Sequence, residues 1–298
     1  MKSEKNILVA FLLNLGFAIF ELIGGIVTGS VAILSDALHD LGDAASIGVS
    51  WFLEKKSKRQ PDKTHTYGYA RYSVLGSAIT TLSLLIGAAI VIYNAVRRIL
   101  SPVSVNYNGM ILFAVVGVGV NLGAALITRK GESLNQKAVN LHMLEDVLGW
   151  VVVLIGAVVM RFTKLVILDP ILSIGVAVFI GINAIRNLKE VVNLFLEKTP
   201  HGLDIQKVRD GLLEISGVLD VHHIHLWSMD GQHHYATMHI VTDGDPHRIK
   251  ALAREMLHAH GIVHVTLELE TSREHCDHRH CHVEYAKASG CHHHHHHH

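Results

Sequence analysis

The sequence predicts an α-helical membrane protein of six transmembrane helices, followed by a C-terminal α+β domain in the cytoplasm. Three observations carry that reading. Hydrophobic residues make up 49% of the 298-residue chain against 17% charged, and mean hydropathy is +0.32, too apolar for an ordinary soluble enzyme. Six apolar stretches are near the ~20 residues a helix needs to cross a bilayer. Around Pro200 the pattern changes to short amphipathic elements. The formal net charge is zero, so the chain lacks the basic excess that nucleic-acid binding would need.

The six stretches are 7–27, 31–54, 73–97, 108–128, 138–160 and 165–187. The first could pass for a signal peptide, but its apolar run continues too far and "TGSVAIL" offers no convincing cleavage site, so it reads as a first span. The turn at "TGS" makes spans one and two a helical hairpin. The loop after span two carries six Lys or Arg over residues 54–71, and the loop after span four carries three over 128–137. On the opposite side stand only Arg97, Arg98, Arg161 and Lys164. The positive-inside rule then puts both termini and these two loops in the cytoplasm.

Beyond Pro200, "GLDIQKVRDGLLEIS" has helical period, and "VLDVHHIHLWSM" and "HHYATMHIVTD" read as strands joined at "DGQ". "DPHRIKALAREMLHAH" is a helix with Asp245 as its N-cap, and "VHVTLELET" is a last strand. The domains are 1–199 in the membrane, 200–272 in the cytoplasm, a Cys/His-rich tail at 273–291, and a run of seven histidines at 292–298 that reads as a purification tag. Of 25 histidines, seven lie in that terminal run; the rest are still many.

Span two opens with "SDALHDLGD". At 100° per residue Asp36, His39, Asp40 and Asp43 share an arc of about 100°. Span five repeats the pattern in "HMLED", with His142, Glu145 and Asp146 on one face. Elsewhere the spans hold few ionisable residues, chiefly Glu21 and Asp169. An acid at the bilayer centre costs roughly 2.5–3.5 kcal/mol on insertion scales, so the two stripes must face each other or water. The repeated spacing is His39-x-x-x-Asp43 and His142-x-x-x-Asp146. Residues at i and i+4 lie one turn apart on a helix, so two facing helices can converge two nitrogens and two carboxylates. That donor set suits tetrahedral Zn²⁺ better than Mg²⁺ or Ca²⁺. Such ligands bind metal deprotonated, so loading expels protons and protonation expels metal, the logic of an antiporter.

These residues resemble the cation diffusion facilitators, exporters of zinc and related divalent metals, of the bacterial zinc-exporter type. The matching stretches are "SVAILSDALHDLGDAAS", "HTYGYARYSVLGS", "NLHMLEDVLGW", "DPILSIGVAVFI" and "VHHIHLWSM". The resemblance implies a homodimer, a metallochaperone-like cytoplasmic fold, and a transport site at His39, Asp43, His142 and Asp146. It implies proton-coupled efflux by alternating access, and a charge interlock between Arg71 and Glu197. It also places a cytoplasmic metal site at His222, His239 and Glu270, with His264 next. A loop site in some members uses an Asp and two His; here Asp62 and His65 match but Tyr69 stands at the third position, which implies a weak or absent site.

Period-2 alternation puts His223 and His225 on one face of their strand and His222 on the other. The tail "EHCDHRHCH" adds Cys276, His278, His280, Cys281 and His282, donors that favour Zn²⁺ or Cu⁺ over hard cations. They complete the cytoplasmic site or collect metal loosely. Two other readings compete with the antiporter. An intramembrane metallohydrolase would need a motif such as H-E-x-x-H, which the chain lacks, so an enzyme is not expected. A membrane-bound zinc sensor would bind without transporting, and flux across a sealed bilayer separates it from a transporter.

Overall fold

The structure is a computed structural model. It describes residues 2–28, 31–101, 107–130, 133–163 and 167–274, which fall into two compact units. One comprises the described residues up to Lys198 with Ser228–Gln232, and the other Thr199–Trp227 with the described residues from His233 on.

The first unit holds six long helices: α1 (Lys2–Thr28), α2 (Val31–Ser57), α3 (Arg71–Leu100), α4 (Tyr107–Thr128), α5 (Leu134–Thr163) and α6 (Leu168–Phe195). A backbone in lipid must satisfy its polar groups internally, which a helix does within one segment. Among the described residues, Ser3–Ile23, Arg71–Leu100, Ile111–Thr128 and Leu134–Gly156 are long and apolar enough to cross a membrane. Helix α2 is as long, but acids interrupt its first half. Helix α6 continues well past the expected end at 187 because its amphipathic C-terminal part, with Arg186, Lys189 and Glu190, keeps helical period outside the apolar span.

Helix α1 packs on α2 and α4, α4 on α5, and α3 on α6, with α3 also touching α2 and α5. Ile7, Ala10, Ile47, Ala124, Ala125, Val139 and Met143 form one buried cluster that joins α1, α2, α4 and α5. Leu84, Ile180 and Ala184 join α3 to α6. Trp150 meets Phe17 edge-on at 5.5 Å. A Cβ at Gly117 would fall 2.6 Å from the same indole, so only glycine lets α4 approach α5 there. Leu12, Ile86, Leu112, Leu126 and Phe179 face outward from this unit, as lipid-facing side chains do.

The second unit is built from α7 (Ile205–Leu213), β1 (Val218–Ser228), β2 (His234–Thr242), α8 (Pro246–Ala259) and β3 (Ile262–Glu270). Asp204 caps α7 by accepting from the Gln206 N–H at 2.9 Å. Asp245 caps α8 through the His247 N–H at 3.1 Å, with Pro246 next to it. The mixed sheet has order β1-β2-β3. Strands β2 and β3 run parallel, the arrangement that requires a crossover such as α8. Val208 and Leu212 of α7 and Ile249, Ala253 and Leu257 of α8 cover one sheet face, with Val221, Leu226, Met238 and Ile240 beneath them.

The other face is free of this core, and the expected alternation fails on it. Strand β1 buries Val221, then Leu226 and Ser228, a five-residue step that a period of two cannot make. The slip falls at His223, whose φ is 51°, a left-handed conformation that a bulged strand uses to insert one residue. His222 and His223 therefore share a face instead of opposing each other, since both rings reach His239, at centroid distances of 5.4 and 4.8 Å.

Candidate metal centres

Helix α2 presents Asp43 and helix α5 presents His142 and Asp146. His142 is 2% exposed and Asp43 8%, too buried to be ordinary polar surface. His142 Nε2 lies 3.6 Å from Asp43 Oδ2 and 4.0 Å from Asp146 Oδ2, and one donor atom from each residue falls within 4.8 Å of the others. Neither ring nitrogen of His142 has a hydrogen-bond partner among the described residues. Buried imidazole nitrogens normally find one; with the two carboxylates beside it, this ring could hold a metal ion. Ligand atoms around a tetrahedral Zn²⁺ with bonds of 2.0–2.1 Å sit about 3.4 Å apart, within a few tenths of an ångström of the spacing to Asp43. His39 is on α2 one turn before Asp43, but its side chain lies outside the described residues, as does that of Asp36. Asp40 and Glu145 are half-buried beside this group.

In the second unit the bulge and the β2–β3 register gather a second set. His239 pairs with Glu268 and Val241 with Glu270, so both glutamates share the open face with the His239 ring. His239 Nδ1 lies 2.5 Å from Glu270 Oε1, and His222 Nε2 lies 3.4 Å from Glu270 Oε2. His222, His239 and Glu270 offer donors within 4.8 Å of one another, and neither His222 nitrogen has a hydrogen-bond partner among the described residues. Glu268 approaches His239 Nε2 at 3.3 Å, and Asp220 approaches His222 Nδ1 at 3.6 Å. The slip brings in His223, stacked on His239 at 8°. Partial desolvation, together with neighbouring His223 and His239, holds the His225 imidazole below its ordinary pKa. Burial would raise the Asp220 carboxyl, but hydrogen bonds from Arg209 (2.8 Å) and the Val221 N–H outweigh it and hold the group low.

Other expected residues lie elsewhere. His264 faces Tyr235 at 5.6 Å, four residue pairs from His239 along the register, so the described structure does not bring it into the trio. In the loop, Asp62 accepts from the Tyr69 hydroxyl at 2.6 Å, the Thr64 hydroxyl at 2.7 Å, and the Thr64 and His65 N–H groups at 2.9 Å each. Those bonds, Tyr69's first, hold its carboxyl far below the usual range. The His65 ring stacks on Tyr69 at 4.1 Å, so the tyrosine in the third position serves as a strut of the turn. Arg71 donates to Glu197 Oε1 at 2.9 Å. Cys276 and Cys281 lie outside the described residues. The role of His223 was hidden from the sequence by its phase slip. Glu268 was visible beside Glu270 but could be matched to His239 only once the register was known.

Two His/carboxylate groups that could hold a metal ion, one of them among helices long and apolar enough to cross a membrane, fit a metal-handling integral membrane protein. Comparison with known families narrows the class. Residues 7–196 match the cation efflux transmembrane domain, and residues 200–272 match the cation efflux protein cytoplasmic domain. The chain belongs to the cation efflux family, and it is a transporter and not an enzyme. It is 35% identical to the zinc transporter ZitB of Yersinia pseudotuberculosis, over 97% of this chain and 94% of that one. It is 31% identical to the metal cation efflux system protein CzcD of Cupriavidus metallidurans, covering 90% and 87%. It is 29% identical to a cadmium, cobalt and zinc/H(+)-K(+) antiporter of Bacillus subtilis, covering 92% and 91%.

Proposed function

We propose that the protein exports zinc from the cytoplasm in exchange for protons, by alternating access at a site made by His39, Asp43, His142 and Asp146. The observation that carries the reading is the buried His142 ring, with neither nitrogen hydrogen-bonded among the described residues and two carboxylates at 3.6 and 4.0 Å from Nε2. The zinc and antiporter names of the relatives support the same cargo and exchange.

The chemistry follows from the donors. Zinc competes with protons for imidazole and carboxylate, so a site open to a more acidic outer face gains protons and loses metal. Reopened to the cytoplasm, it releases protons and reloads. Histidine's ordinary pKa of about 6.5 keeps that exchange within the physiological range. Residues 1–199 form the transport domain in the bacterial cytoplasmic membrane, with both termini inside. Residues 200–272 form a dimerisation and metal-sensing domain in a homodimer, and 273–291 a metal-binding tail. The group at His222, His239 and Glu270 reads cytoplasmic zinc.

The deciding experiment is zinc flux into proteoliposomes under an imposed pH gradient, for the wild type and for Asp43→Ala with Asp146→Ala. Gradient-driven flux lost in a normally folded double variant supports the antiporter. Binding without flux in the wild type overturns it in favour of a sensor.

A further inference from the structure

A second buried polar group ties α2, α3 and α5 together below the metal-binding layer, and transport chemistry does not require it. Ser50 and Asn135 are 0% exposed, Glu54 3% and Ser73 7%. The Ser50 hydroxyl donates to Asn135 Oδ1. Asn135 Nδ2 donates back to the Ser50 carbonyl at 2.9 Å and to Glu54 Oε2 at 3.3 Å. The Ser73 hydroxyl donates to the same Glu54 oxygen at 2.7 Å. Lys58 stands 3.9 Å from the other oxygen and 3.5 Å from Glu4 of α1. A Cβ on Gly76 would lie 2.8 Å from Asn135 Oδ1, so α3 closes over the amide at a glycine.

The position of this group gives it meaning. Glu54 follows Asp43 by eleven residues and Asn135 precedes His142 by seven, each within about 20° of the same helix face. At 1.5 Å per residue the network lies roughly 10–16 Å from the metal layer along the same two helices. It lies toward the 2–3 and 4–5 loops, which the Lys/Arg distribution assigns to the cytoplasm. Ser50 and Asn135 are in direct contact, which joins α2 to α5 at this level.

We propose that Ser50, Glu54, Ser73 and Asn135 form the cytoplasmic gate of the transport site. The network is closed when the site faces away from the cytoplasm and parts when α5 leaves α2 to admit metal. These are positioning residues that set which side the site faces, and the inference rests on the transporter reading above. A gate differs from simple packing in one measurable way. Weakening it populates the cytoplasm-open state, so metal binds from that side at lower concentration while the return to the outward state slows.

The test compares Ser50→Val with Ser50→Thr, two side chains of one shape that differ in the hydroxyl. Zinc uptake is measured in inside-out vesicles, which present the cytoplasmic face. Ser50→Val is expected to lower KM about fivefold, the population shift that one buried hydrogen bond carries, and to lower kcat with it. Ser50→Thr is expected to keep wild-type values, and Gly76→Ala to reproduce Ser50→Val by displacing the Asn135 amide. Should Ser50→Val fail to fold, Ser73→Ala removes the α3 donor alone and is expected to show the same split more weakly. Equal KM in the Val and Thr variants, or a raised KM in Val, overturns the gate while wild-type flux keeps the transporter. Absent wild-type flux overturns the transporter, and the gate with it.

Discussion

Asp43→Asn is the sharpest probe of the intramembrane site, because it preserves shape and removes one anionic donor. Asp43 Oδ2 lies 3.6 Å from His142 Nε2, close to the roughly 3.4 Å edge of a tetrahedral zinc site. Replacing even an outer-shell partner of a metal ligand costs 10–100-fold in affinity, so losing a carboxylate of the proposed site should cost at least about 100-fold, or about 2.7 kcal/mol. Affinity is read by competition with a zinc-chelating dye, in a His239→Ala background that disables the cytoplasmic group. Flux is read in proteoliposomes under a pH gradient. Glu145→Gln, beside the trio but outside it, is the control and should cost less than Asp43→Asn. Asp43→Asn with wild-type affinity and flux would refute the reasoning, and so would an equal loss in the Glu145 control.

Glu270→Gln should weaken the cytoplasmic group by at least about tenfold, because one carboxylate contacts both His222 and His239; metal content per protomer measures it, with flux by the membrane site retained. Asp220→Asn should reduce protection of α7 and β1 in amide exchange at pH 7, by under about 1 kcal/mol for a partly exposed pair. The folded carboxyl titrates below its unfolded value, so its stabilisation is full above the unfolded pKa of about 3.9 and vanishes as pH falls through the lower folded value. Wild type and variant should therefore converge on acidification, and a difference that persists in acid would contradict the Arg209 contact. Arg71→Glu should shift the melting temperature little, since the pair is 37% and 62% exposed and such bridges contribute about 0–1 kcal/mol. Adding Glu197→Arg should restore any lost flux if the pair has a functional role.

Much of this molecule is legible in its sequence, because lipid enforces simple rules. Long apolar runs become helices, and the acids of "SDALHDLGD" and "HMLED" stand out against them. Asp245 before Pro246 marks the start of α8 by its chemistry alone. Register and phase are less visible. The left-handed turn at His223 falls on a non-glycine residue, so no local composition announces the slip that turns two adjacent histidines to one side. Ser50, Ser73 and Asn135 look like tolerated polar residues in a hydrophobic helix. Only the packing of three helices reveals that they join one network with Glu54.

Helix α5 is 30 residues long, about 45 Å against a hydrocarbon core of about 30 Å. His142 sits near one third of its length, and Asn135 about 10 Å beyond it. With an ion held at the proposed site, a rigid rod pivoting there would behave as a lever with the ion at the fulcrum. A tilt of about 15° would carry Asn135 nearly 3 Å sideways, enough to break its bonds to Ser50, while the ligand atoms at the pivot hardly move. In the exchange proposed above, such a rod would change the side it opens to without first loosening its hold on the cargo.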